Sequence, residues 1–319
     1  MIYQHLFTAL FLLRFLFAPP PNQDVIRLAD PSIFHHDSVY YLYGTDGRDS
    51  NKGFEVYTSK DMEVWKKSAK NDGFALKKGD AFGSKGFWAP QVFAFGAKFY
   101  MAYTADEQIA IAVSDSPLGP FTQEKKSPLP APGKQIDPYV FLDSDGKKYL
   151  YHVRLTEGNR LYVAELKDDF SGIKEETLTY CFHAEEDWEN TAGSEWTVSE
   201  GPSIIKHRGW YYFIYSANDF RNPDYAVGYA VAKSPLGPWT KSDSNPIFDR
   251  GDAKNNGTGH GDYFVDGKGK LQYVLHTHAS DSTVAPRKTA VIELEFAPGK
   301  NGMDELRVKG NSFRFLHEK

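Results

Sequence analysis

A short pattern recurs five times along this chain, and a repeat of that length limits the fold more than any single element does. The segments DPSIFHHDSVYYLYGT from Asp30, APQVFAFGAKFYMAYT from Ala89, DPYVFLDSDGKKYLYHV from Asp137, GPSIIKHRGWYYFIYS from Gly201 and GDYFVDGKGKLQYVLHT from Gly261 share one plan. Each opens on a small or acidic residue, usually followed by proline. An apolar triplet, a polar turn and a second run rich in aromatics come next. Such a copy reads as a β-hairpin, with β-type residues on both arms and Asp143-Ser144-Asp145-Gly146 or Asp266-Gly267 supplying turn chemistry. The prolines at 31, 90, 138 and 202 stand 59, 48 and 64 residues apart, a spacing large enough for one four-stranded blade each.

A second repeat supports the same period. AVSDSPLGPF from Ala112 and AVAKSPLGPW from Ala230 are near copies lying 118 residues apart, and Ser59 to Trp65 is a divergent version. A third strand, a turn closed by an aromatic and a fourth strand therefore follow each hairpin. The expectation is an all-β chain, a five-bladed β-propeller of four-stranded antiparallel blades around a central channel, an architecture that leaves only short sheet edges. A two-sheet sandwich with accidentally similar hairpins is the bland alternative. No stretch carries long helical periodicity. Residues 22–319 read as one catalytic-sized domain without a linker.

Composition removes several function classes. A formal net charge of -5 with 25% charged residues gives no basic field for nucleic acid. The lone Cys181 excludes an internal disulfide, and no Cys/His cluster has structural-zinc spacing. Residues 1–21 contain an apolar stretch, Leu6 to Phe17, of signal-peptide length, interrupted by Arg14 and followed by Ala18 and three prolines. This reads as a signal peptide, which implies a secreted or periplasmic protein, or as an N-terminal clip packed on the body of a cytoplasmic one. No other run could cross a bilayer.

In a propeller the first strand of every blade lines the channel, so the repeat gathers Asp30, Asp137 and Glu200 from the first, third and fourth copies at one mouth. With Trp88-Ala89-Pro90 between them, the motifs Asp30-Pro31-Ser32, Asp137-Pro138-Tyr139 and Glu200-Gly201-Pro202 resemble those of glycoside hydrolase family 43, from about Arg27 to the C-terminal strands. The resemblance implies Asp30 as general base, Glu200 as general acid and Asp137 as the residue orienting the acid, with inversion at the anomeric carbon. The chemistry needs such a set: one carboxylic acid protonates the leaving oxygen while a carboxylate on the opposite face activates water. Glu200 must then hold a proton near neutral pH, helped by the like charge of Asp137, while Asp30 stays ionised.

Further assignments also follow from the resemblance. Trp88 would stack on a sugar, although a core tryptophan between blades reads equally well from composition. Arg287 would contact substrate and keep Asp137 ionised. His260 matches a central histidine that often faces a hydrated calcium or another cation, so either a metal held through water, as a structural ion and not as a cofactor for the chemistry, or a structural histidine without metal is expected there. His276 and His278 read as packing. Trp188, Glu195 and Trp196 lie on an insertion, 185–199, that could shape outer subsites.

The implied substrate is an oligo- or polysaccharide carrying terminal α-L-arabinofuranosyl or β-D-xylosyl groups, cleaved by a monomer with no nucleic-acid or membrane partner. Endo-acting arabinanase, xylanase or galactan-active relatives share the same motifs. The related clan that cleaves fructosides with retention has Asn-Asp-Pro-Asn and Glu-Cys where this chain has Ala29-Asp30-Pro31-Ser32 and Glu200-Gly201. A non-catalytic glycan-binding propeller would lack an acid or a base, and neither is missing.

Overall fold

The computed structural model of the chain describes residues 24–319, so the segment read as signal peptide or clip, 1–21, lies outside the described residues. Five antiparallel sheets stand around one axis as a five-bladed β-propeller. Blade I comprises Leu28–His36, Val39–Asp46, Tyr57–Ser59 and Lys66–Lys67. Blade III comprises Gln135–Leu142, Lys148–Leu155, Asn159–Glu165 and Thr179–Phe182. Blade IV is built from Ser199–His207, Trp210–Ala217, Ala226–Ala232 and Thr240–Lys241, and blade V from Gly259–Val265, Leu271–Thr277, Lys288–Pro298 and Asp304–Val308.

Blade II departs from the four-strand expectation. It has Trp88–Phe95, Lys98–Ala105 and Gln108–Ser114, and its outer edge is reduced to one bridge between Val113 and Thr122. The segment that follows carries Pro128, Pro130 and Pro132, which have no N–H to donate to a ladder.

The second strand of each blade is apolar on both faces because both faces are buried between blades. Tyr211, Phe213 and Tyr215 point into the core between blades III and IV, while the intervening Tyr212 and Ile214 point into the core between IV and V. Met101 and Tyr103 likewise face blade I, and Ala102 faces blade III. Five such cores serve five blade interfaces.

The ring closes between blades V and I through the ends of the described chain. Asp24–Val25 pairs with His317–Glu318, Arg314–Phe315 pairs with the third strand of blade V, and Trp65 N–H of blade I donates to the His317 carbonyl at 3.2 Å.

One irregularity recurs in every blade and positions the site. The register between first and second strands slips at a bulge whose residue has positive φ: Asp30 (46°), Ala89 (45°), Asp137 (55°), Gly201 (62°) and His260 (41°). Bulges re-aim side chains next to functional sites. Here they carry Asp30, Asp137 and His260 to one cavity, the bulge of the fifth copy falling on His260, one residue before Gly261.

Candidate active site

Each bulge is latched to the preceding blade. The N–H of Ala89 donates to Thr45 Oγ1 (3.0 Å), that of Asp137 to Thr104 Oγ1 (2.9 Å), that of His260 to Ser216 Oγ (2.8 Å) and that of Asp30 to His276 Nδ1 (3.1 Å). Thr45, Thr104, Ser216 and His276 occupy the same register position in blades I, II, IV and V. Blade III has Val153 there, which has no acceptor. The N–H of Gly201 turns instead to Asp137 Oδ2, at 3.4 Å. The apolar residue at that one position thus leaves a backbone donor aimed at a carboxylate of the site.

Gly201 must be glycine for two reasons. Its φ is left-handed, and a Cβ would come within 2.9 Å of the His260 ring. The same position carries an aspartate in blades I and III, so the acid of blade IV comes from Glu200, one residue earlier.

Asp30, Asp137, Glu200, Trp88, His260 and Arg287 line one cavity of about 360 Å³. His260 Nδ1 lies 3.5 Å from Asp30 Oδ1 and 3.9 Å from Asp137 Oδ2, between the two aspartates. Arg287 Nη1 donates to Asp30 Oδ1 at 3.0 Å, and its guanidinium lies 4.7 Å from the Phe220 ring centre. The arginine expected to pair with Asp137 therefore pairs with Asp30. Blade V, whose third strand starts just after residue 287, packs against blade I, and this brings Arg287 to Asp30.

The three carboxyls are buried, yet their proton affinities diverge. Burial alone would raise Asp30, but Arg287, then His260 and His276 and last the Thr45 hydroxyl (2.6 Å to Oδ2) together outweigh it and hold Asp30 well below the usual range. Glu200 is pushed up to about 7, by burial first, against the Tyr225 hydroxyl on Oε1 (2.9 Å) and the Asn159 amide on Oε2 (2.8 Å), with the charge of Asp30 adding to the rise. Asp137 is raised too, by burial and then by Glu200 and Asp30. The expectation that an ionised Asp137 lifts Glu200 is thus corrected: desolvation raises both, and they compete for protons as a pair.

His276 belongs to this site and not to packing. Burial and Arg287 keep its ring neutral, its Nδ1 takes the Asp30 N–H, and its Nε2 lies 3.2 Å from Arg287. The signal was present in the repeat, where it stands in the column of Thr45, Thr104 and Ser216. His278 contacts the Phe220 carbonyl at 2.8 Å and so supports the ring beneath Arg287. Tyr225 and Asn159 had no sequence signal. Gly259 makes room for Tyr225, whose ring a Cβ there would meet at 2.6 Å. On the insertion, Trp188 packs against Tyr215 and Gly228, Glu195 is exposed outside the cavity lining, and Trp196 stands on the cavity rim.

No set of direct ligands for the hydrated calcium expected near His260 is shown among the described residues. A smaller space of about 20 Å³ runs from Asp30, Asp137 and His260 to Ser32, Gln91, Tyr139 and Asp262, room for about one water. Asp262 accepts from Ser203 Oγ at 2.7 Å and burial pushes it up to about 7. Among the described residues no three or more His, Cys, Asp or Glu side chains are placed to hold a metal ion.

Known proteins resemble this chain in sequence and in fold. The sequence profile of Glycosyl hydrolases family 43 matches residues 25–300. Xylosidase/arabinosidase 43A of Humicola insolens is 30% identical over 264 residues, 67% of this chain and 79% of that protein. The solved endo-1,4-beta-xylanase of Bacteroides thetaiotaomicron superposes with a TM-score of 0.84 at 40% identity, over 93% of this chain and 99% of that one. The endo-arabinase of the same organism gives 0.70 at 26% identity, over 86% and 96%.

Proposed function

The chain belongs to family 43 of the glycosyl hydrolases, and from that premise we propose that it is a glycosidase removing terminal α-L-arabinofuranosyl or β-D-xylosyl groups from plant polysaccharides with inversion. One observation carries the reading: three buried carboxyls share a cavity, and one is held ionised while another titrates near 7. That separation is what an acid and a base working on one bond require.

Glu200 donates its proton to the glycosidic oxygen as the bond breaks. Asp30, kept ionised by Arg287, takes a proton from the water that attacks the opposite face of the oxocarbenium-like centre. Asp137, held by the Gly201 N–H beside the acid, keeps Glu200 in place and shares its proton burden. Turnover leaves Glu200 ionised and Asp30 protonated, and exchange with solvent restores both. Trp88 offers a ring face to the sugar. Release of chain ends, not internal cleavage, is supported by a cavity at the small end of the usual range for ligand sites. The endo-acting neighbours at 40% and 26% identity favour the alternative of an open groove. An apolar N-terminal stretch of signal-peptide length supports action outside the cytoplasm.

The test is hydrolysis of aryl α-L-arabinofuranoside and β-D-xyloside by wild type and Glu200→Gln, with the first-formed anomer read by NMR. Loss of about 10²- to 10⁴-fold in the variant and an inverted product are expected. A retained anomer, or normal activity in Glu200→Gln, refutes the assignment.

A further inference from the structure

Trp196 is 49% exposed on the cavity rim, yet its one polar atom points inward. The indole Nε1–H donates to Asn159 Oδ1 at 2.9 Å, and the other end of the same amide, Nδ2, donates to Glu200 Oε2 at 2.8 Å. The Asn159 backbone is fixed as well: its N–H reaches the Thr197 carbonyl (2.9 Å) and its carbonyl accepts from Ser199 Oγ (3.1 Å).

Resting on the function proposed above, we propose that Trp196 is a positioning residue for the acid: its indole N–H decides which face of the Asn159 amide meets Glu200. An indole N–H can only donate, so it demands the amide oxygen and turns the NH2 toward the carboxyl. Were the amide flipped, its oxygen would face Glu200 and favour the protonated acid. The NH2 favours the carboxylate, so Trp196 holds the acid's proton affinity down, close enough to neutrality for the proton to be released during turnover. Trp196 lines the cavity on the side of Glu200, to which Asn159 joins it, and half of its surface is exposed, within reach of a departing group. One exposed side chain thus links leaving-group contact to the acid's proton affinity.

The experiment uses Trp196→Phe, which keeps a ring face and removes the donor, and Trp196→Ala, which removes both. Two readouts are taken. The first is the pH profile of kcat on the aryl pentosides, together with KM. The second needs no turnover: infrared titration of the protonated carboxyl band, identified as the one lost in Glu200→Gln. Trp196→Phe is expected to move the alkaline limb and the infrared midpoint upward by about one pH unit with KM nearly unchanged. Trp196→Ala is expected to give the same shift and a raised KM. In an Asn159→Ala background, Trp196→Phe is expected to shift nothing further. An unchanged or lowered infrared midpoint in Trp196→Phe overturns the proposal. Failure of the wild type to cleave any glycoside would overturn the function but not this inference, which the infrared midpoint decides alone.

Discussion

Replacing Arg287 by methionine isolates the force that keeps Asp30, the proposed base, ionised. The guanidinium nitrogen lies 3.0 Å from Asp30 Oδ1, and both side chains are largely buried. At an effective dielectric of about 20, two unit charges at that distance attract by about 5 kcal/mol, or about four units of pKa. Two neighbours limit the rise. His260 and His276 each place a ring nitrogen 3.5 Å from the same oxygen, and Arg287 helps to keep both neutral. Relieved of it, they take up a proton in acid and replace part of the missing charge. Asp30 should therefore move from well below the usual range to about 4–6. The sign follows directly: losing a cation disfavours the carboxylate, so the base is protonated at higher pH and activity falls on the acid side. The assay is kcat/KM for an aryl pentoside between about pH 3 and 9. The wild type should show no acid limb above about pH 4, whereas Arg287→Met should show one at about 4–6, with Arg287→Lys between them. Any loss that persists at pH 7, where Asp30 is ionised in both proteins, reports the arginine's work on substrate. An acid limb that stays below pH 4 in Arg287→Met would refute the electrostatic argument.

Other consequences follow from the same buried groups. Tyr225→Phe deletes the donor on Glu200 Oε1. A hydrogen bond to a charged group contributes about 1.5–3 kcal/mol, so the alkaline limb of kcat should rise from near 7 by about one to two units while the acid limb stays in place; a fall would contradict it. Asp262 is pushed up to about 7 by burial, above its unfolded value near 4. The folded state thus binds the proton more tightly, so this stability is full below about pH 4, drains as pH rises toward 7 and is gone above it. Asp262→Asn should accordingly stabilise the protein by up to about 4 kcal/mol at pH 8 and by little at pH 4, read by denaturant unfolding at both. Equal effects at the two values would rule out the buried charge as the cause.

Much of the molecule was legible in the chain because β structure announces itself locally. The β-type run from Tyr211 to Tyr215, the prolines after four of the five bulge residues and the Asp-Gly turns of the third and fifth copies are short-range signals, and a plan repeated five times leaves little choice of architecture. The three carboxyls were found because rotational symmetry converts an equal place in the repeat into a shared place in space. The repeat did not fix what those carboxyls touch. Arg287 and Asp30 are 257 positions apart, and which aspartate the arginine meets depends on how blade V docks on blade I. Tyr225 and Asn159 come from third strands and the loops before them, outside the repeated segment, and reach Glu200 only once blades III and IV have packed. His276 was written in the repeat, but its meaning lay in the bulge of the neighbouring blade. Local sequence determined strands, turns and the convergence of acids, since those depend on periodicity. Proton affinities depend on burial and on a few ångströms of contact between distant segments, and only the closed ring decided them.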